Sequence, residues 1–126
     1  MQLGGAFMNN ITTIVAIGLA FAVALPTAPA TALNDRSFVS PQGDDSNDCT
    51  LGSPCRFFQA ALAKTNPGGE IAVLGTADYN GGTTVTIDKA ISIVNPGGFE
   101  AGIAPPSGGV GIEVNAGPND TVSLRG

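Results

Sequence analysis

No histidine occurs in the 126 residues. That excludes Ser-His-Asp and Cys-His catalysis and every histidine metal site. Few residues remain that could do chemistry. Asp44, Ser46 and Asp48 alternate in the loop Gly43-Asp44-Asp45-Ser46-Asn47-Asp48, as oxygen ligands do in a calcium loop. An EF-hand needs glycine at its sixth position and a distal glutamate, and here Cys49 takes the glycine place. A solvated Asx-type loop is the preferred reading. Cys49 and Cys55 are the two cysteines. In an exported protein such a pair closes a structural disulfide, and the intervening Thr50-Leu51-Gly52-Ser53-Pro54 can turn back to allow it. A metal or redox pair would want histidine or a two-residue spacing. Asp88 with Lys89, or Asp120 with Arg125, could serve as acid and base, but corner charges on a surface are the commoner explanation. Gly108-Gly109-Val110-Gly111-Ile112-Glu113 has the start of a calcium-binding glycine repeat, in one copy, with Glu113 for the aspartate. Asn119-Asp120-Thr121 matches a glycosylation acceptor.

The elements that would position these groups announce themselves between residues 69 and 126. Apolar–polar–apolar triplets recur there: Ile71-Ala72-Val73, Val85-Thr86-Ile87, Ile91-Ser92-Ile93, Ile112-Glu113-Val114 and Val122-Ser123-Leu124. Period two with one dry and one wet face is a strand pattern. Ile71, Ile91 and Ile112 recur at about twenty residues, the repeat of a solenoid whose turns bury apolar faces on one another. The expectation is a parallel coil with those three residues in one interior column. Its outward positions would be Thr86, Ser92, Glu113 and Ser123. Upstream, Phe38-Val39 is a candidate first strand. Ser53-Pro54 reads as a helix N-cap and first position, and Phe57, Phe58, Ala61 and Leu62 form one apolar face of a helix over residues 56–64. Asn66-Pro67-Gly68-Gly69 ends it, and strands follow from Glu70. An amphipathic helix of this kind covers the open end of a solenoid. Residues 99–109 read as a Pro- and Gly-rich loop projecting from the coil.

Composition supports the same class. Charged residues are 12%, with 18 glycines and 9 prolines to turn the chain between short strands. Net charge is −5, which argues against a nucleic-acid or anionic-membrane partner. Every charged side chain lies from Asp35 onward. The charge-free start carries the apolar run 11–25, then Pro26 and Ala28-Pro29-Ala30, small residues that suit a signal peptidase. Cleavage after Ala30 is expected, after Ala32 being equally regular. The n-region lacks Lys and Arg, a departure from the usual leader. The expected organisation is a helical signal peptide over 1–30, a cap over 31–68 and the first turns of a coil over 69–126. The chain stops one residue after a fresh strand, and a truncated or fragmentary product, or an end covered by another chain, is the expectation there.

The runs Gly69–Leu74 and Val85–Gly98, with the upstream Phe38-Val39-Ser40, the Cys49–Cys55 loop and the helix-like segment to Lys64, resemble the opening turns of right-handed parallel β-helix proteins of the pectin-lyase-like superfamily, in their bacterial secreted form. The likeness spans residues 38–126. It implies a mainly β fold: about three β-helix turns behind a short helical cap. Lyases of that kind hold calcium with clustered carboxylates beside an Arg or Lys base; the hydrolases use several aspartates and a Gly-His-Gly element. None of those residues matches a position here, so no catalytic residue carries over.

Two functions follow from different classes. One is an exported β-helix without catalysis or cofactor, secreted, periplasmic or at the cell surface, contacting polysaccharide or another protein. The other is the N-terminal piece of a polysaccharide lyase or glycoside hydrolase whose active site lies beyond Gly126. The small polar outward residues favour the first. A small β-sandwich built from the same strands is the rival fold.

Overall fold

A computed structural model of the chain describes residues 22–28 and 30–126. The chain divides into Met1–Ala30 and Thr31–Gly126, and every described regular element lies in the second unit. The helical leader expected over 1–30 lies largely outside the described residues. The order is β1 (Asn34–Val39), α1 (Phe58–Ala63), β2 (Thr65–Val73), β3 (Ala77–Asp78), β4 (Val85–Ile87), β5 (Ile91–Val94), β6 (Ala101–Gly102), β7 (Ile112–Val114) and β8 (Val122–Arg125).

The protein is mainly β, and among the described residues every strand pairing is parallel. Three sheets form: β1-β2-β5-β8, β3-β6 and β4-β7. After α1 the chain visits them in turn, β2, β3 and β4, then β5, β6 and β7, then β8 on the first sheet again. Alternation makes this possible. In β4 and β5, Val85, Ile87, Ile91 and Ile93 are buried, while Thr86 and Ser92 between them are part-exposed. Parallel neighbours require long crossovers, which excludes the hairpins of the rival sandwich. The interior joins Ile71, Val73, Tyr79, Val85, Ile87, Ile91 and Ile93 to Phe58 and Leu62 of α1. Burying each large aliphatic side chain stabilises by about 1.5–3 kcal/mol.

The expected column of Ile71, Ile91 and Ile112 does not form. Ile71 sits on Ile93, and Ile93 on Leu124; Ile91 sits beneath Val122. Ile112 lies on a different wall, opposite Val85. The repeat is uneven, twenty-two residues from Ile71 to Ile93 and thirty-one from Ile93 to Leu124. The chain turns three corners per circuit, and all three are longer in the second circuit, by two residues before β6, three before β7 and four before β8. β6 also occupies residues expected in a projecting loop, so the loop proper begins at Ile103.

The segment before β2 differs in detail. β1 begins at Asn34, and β2 begins at Thr65 rather than Glu70. Thr65 pairs with Asn34 and Glu70 with Arg36, so Asn66-Pro67-Gly68-Gly69 forms an irregular bulge inside the strand. Gly68 has φ +81° there, the left-handed region that glycine enters freely. The free edge of β1 is closed by the cysteine loop. Phe38 N–H donates to Cys49 O, Cys55 N–H to Phe38 O, and Ser40 N–H to Cys55 O. Cys49 and Cys55 form a disulfide with both residues fully buried.

The helix is shorter than expected, and its N-cap position is Phe57, not Ser53. Ser53 instead donates its N–H to Thr50 O inside the cysteine loop. The orphan donors ahead of the helix go to Asp45, whose Oδ1 accepts from Arg56 N at 2.8 Å and Phe57 N at 3.0 Å. At the other end, Lys89 Nζ donates to Leu62 O and Thr65 O. Such cations satisfy the last carbonyls and oppose the dipole. Phe58, Ala61 and Leu62 are buried, and Phe58 meets the Tyr79 ring at 5.2 Å.

Candidate functional site

The outward face of the four-stranded sheet is the longest continuous surface that the strands build. Register fixes its rows. Arg36, Glu70, Ser92 and Ser123 are consecutive partners across β1, β2, β5 and β8. Beside them run Phe38, Ala72, Val94 and Arg125. Neighbouring strands lie about 4.8 Å apart, so each row repeats a polar or apolar group at that spacing. Arg36 Nε pairs with Glu70 at 2.7 Å, and its guanidinium lies 5.2 Å from the Phe38 ring centre. The Ser92 hydroxyl is buried without a hydrogen-bond partner. Arg125 Nε donates to Ser123 Oγ at 3.0 Å. The four outward residues read from the sequence therefore separate into two faces: Ser92 and Ser123 here, Thr86 opposite Glu113 on β4-β7.

The Asp44–Asp48 loop is organised by its own hydrogen bonds. Asp44 Oδ1 accepts from Ser46 Oγ at 2.6 Å and Ser46 N at 2.8 Å. Those two bonds, the hydroxyl's first, hold the Asp44 carboxyl below its usual range. Lys64 Nζ reaches into the loop and donates to Asp45 O at 2.6 Å and to Asn47 O. An ammonium thus sits among the loop carbonyls. Among the described residues no group of three acidic or thiol side chains could hold a metal.

The other candidate pairs are drawn apart. Lys89 is spent on the carbonyls below α1, away from acid–base work with Asp88. Asp120 Oδ2 accepts from Gly117 N at 2.8 Å, closing its turn, and Arg125 turns to Ser123. In the glycine run, Glu113 lies outward beside Thr86 rather than in a ligand loop. Asn119 is exposed in the turn before β8.

Sequence reasoning missed three groups. Tyr79 is wholly buried and donates its hydroxyl to Gly75 O at 2.5 Å, while Arg56 lies over its ring. Burial raises its phenol pKa, against the opposing effects of Arg56 and the Gly75 bond. Asn80, also buried, bonds Thr83 O and both backbone groups of Ala104, tying one circuit to the next. An Asn-Gly-Gly stretch signals the turn but not this bridge. Asp78 and Glu100 flank a hollow of about 230 Å³ with Thr76. A larger apolar hollow of about 460 Å³ opens at the end of the stack, lined by Phe58, Val73, Ile93, Phe99, Ile112 and Leu124.

Chemically, this arrangement offers hydrogen bonds and a shallow apolar strip, with no base beside a nucleophile among the described residues. The disulfide is consistent with an oxidising, extracellular setting. Among the described residues no helix is long and apolar enough to cross a membrane. No protein-family model, curated protein or solved structure matches the chain.

Proposed function

We propose that the chain is an exported right-handed parallel β-helix of pectin-lyase-like architecture, with a non-catalytic role in which its outward sheet face contacts polysaccharide. The cyclic visiting of three parallel sheets supports the coil. Right-handedness is the rule for a strand that crosses over to a parallel neighbour. The observation that carries the binding reading is the row Arg36, Glu70, Ser92 and Ser123 on one flat face. Hydrogen-bonding groups repeated at strand spacing suit an extended, hydroxyl-rich polymer, with the exposed Arg36 and the part-exposed Glu70 as the accessible charged members of the row.

Affinity electrophoresis of the exported chain through gels containing polyuronides or neutral glucans tests this. Retardation by at least one polymer, reduced in Arg36→Ala, is expected. Equal mobility in every gel removes the binding reading. A parallel assay follows the ultraviolet absorbance of unsaturated uronides with calcium present. Turnover there would transfer the chain to the polysaccharide-lyase class.

A further inference from the structure

Asn80 is followed by Gly81, and the surroundings dictate both identities. Asn80 is 3% exposed. Its Nδ2 donates to Thr83 O and Ala104 O, and its Oδ1 accepts from Ala104 N at 3.0 Å. An amide offers two donors and an acceptor on one planar group; a carboxylate offers acceptors only. The bridge ties the turn after β3 to the chain just after β6, one circuit on. Gly81 has φ +61°, and a Cβ there would lie 3.2 Å from the Phe57 ring. The left-handed backbone and the ring both exclude a side chain. The fold thus requires Asn-Gly at this joint. In that dipeptide the side-chain amide is most open to attack by the next backbone nitrogen, because glycine has no side chain to shield it.

We propose that Asn80 is a deamidation site that folding protects, and that its modification in an unfolded chain blocks return to the native coil. Gly81 N attacks Asn80 Cγ. The new N–Cγ bond forms, the Cγ–Nδ2 bond breaks, and ammonia leaves with the proton of the attacking nitrogen. Water then opens the cyclic imide at either carbonyl. The product at position 80 is aspartyl or, with the main chain rerouted through the side chain, isoaspartyl. In the folded chain this reaction would expel the nitrogen that holds two carbonyls, and it consumes water at a site closed to solvent. Its rate therefore follows the population of opened chains. After modification the carboxylate can still accept from Ala104 N but has no proton for Thr83 O or Ala104 O. Two acceptors lose their donor, and a charge enters a buried site. The isoaspartyl form also lengthens the main chain at a turn whose geometry Gly81 and Phe57 fix. The proposal stands on this joint and is independent of the polysaccharide reading.

Mass spectrometry with peptide mapping tests it on the purified chain, disulfide intact, aged in mildly alkaline buffer with and without guanidinium. The expected result is an NH2-to-OH mass gain at residue 80 that builds up in guanidinium and runs at least about tenfold slower in the folded chain. After dilution from denaturant, the chains that fail to regain native circular dichroism should be those carrying the gain. Asn80→Asp, made directly, should unfold at lower guanidinium than the wild type or fail to fold. Four results would each overturn the proposal: no gain at residue 80 in guanidinium, equal rates in folded and unfolded chains, modified chains that refold as completely as unmodified ones, or an Asn80→Asp chain as stable as the wild type.

Discussion

Asp44 and Asp45 are adjacent carboxylates with different tasks. Asp45 reaches across to the N–H groups ahead of α1, whereas Asp44 folds back on Ser46. Removing the Ser46 hydroxyl deletes the largest cause of the lowered Asp44 pKa. In Ser46→Ala the Asp44 carboxyl should therefore titrate higher, closer to its ordinary 3.8, in a carbon-detected NMR titration. The sign for stability follows from the direction. A carboxyl held lower in the folded state than in the unfolded one contributes stability above its unfolded pKa, and that contribution fades as pH falls through the folded value. The variant should lose part of this acid-side dependence. Tyr79 runs the other way: its raised pKa favours the folded state below the ordinary value of 10.0, and that advantage declines as pH rises through the folded pKa.

Among elements, the cap depends on ties that cross the chain. Lys89, at the corner before β5, holds Leu62 O in the last turn of α1 and Thr65 O at the start of β2. Lys89→Met should leave both without that donor and cost about 1–3 kcal/mol in urea unfolding. The disulfide closes a short loop, with a sequence separation of 6. Replacing both cysteines by serine should cost about 2 kcal/mol in the chain-entropy model. The loop also supplies the backbone bonds along β1, so hydrogen exchange at Ser40 and Cys55 should quicken before that in β5. The N-cap expected at Ser53 falls at Phe57 instead for the same reason. Ser53-Pro54 has the local form of a cap, but Asp45, far back in the sequence, takes the donors that matter.

Across the whole molecule, stability comes from stacking between circuits. Ile71 is fully buried between β1 and β5, so Ile71→Ala should destabilise by about 2–5 kcal/mol in thermal or urea unfolding. Glu113→Gln, on the exposed side of β7, should change stability by less than about 0.5 kcal/mol in the same assay. The contrast separates a stacked interior from a surface whose side chains are free to serve a ligand.

The sequence by itself determined which residues turn inward. Val85 and Ile87, or Ile91 and Ile93, alternate with small polar residues, and period two leaves one buried face whatever the neighbours are. It also determined the cysteine pair, because Cys49 and Cys55 have only each other. Only the tertiary structure decided which wall each strand joins. Ile112 has the same local pattern as Ile91, yet it packs opposite Val85, because the lengths of the corners set where a strand lands. β3 and β6 were illegible for a related reason: two residues carry no period, and they become strands only by lying on each other. The candidate face was half legible. Ser92 and Ser123 could be read as outward, but their alignment with Arg36 and Glu70 is a property of register, which no single strand contains.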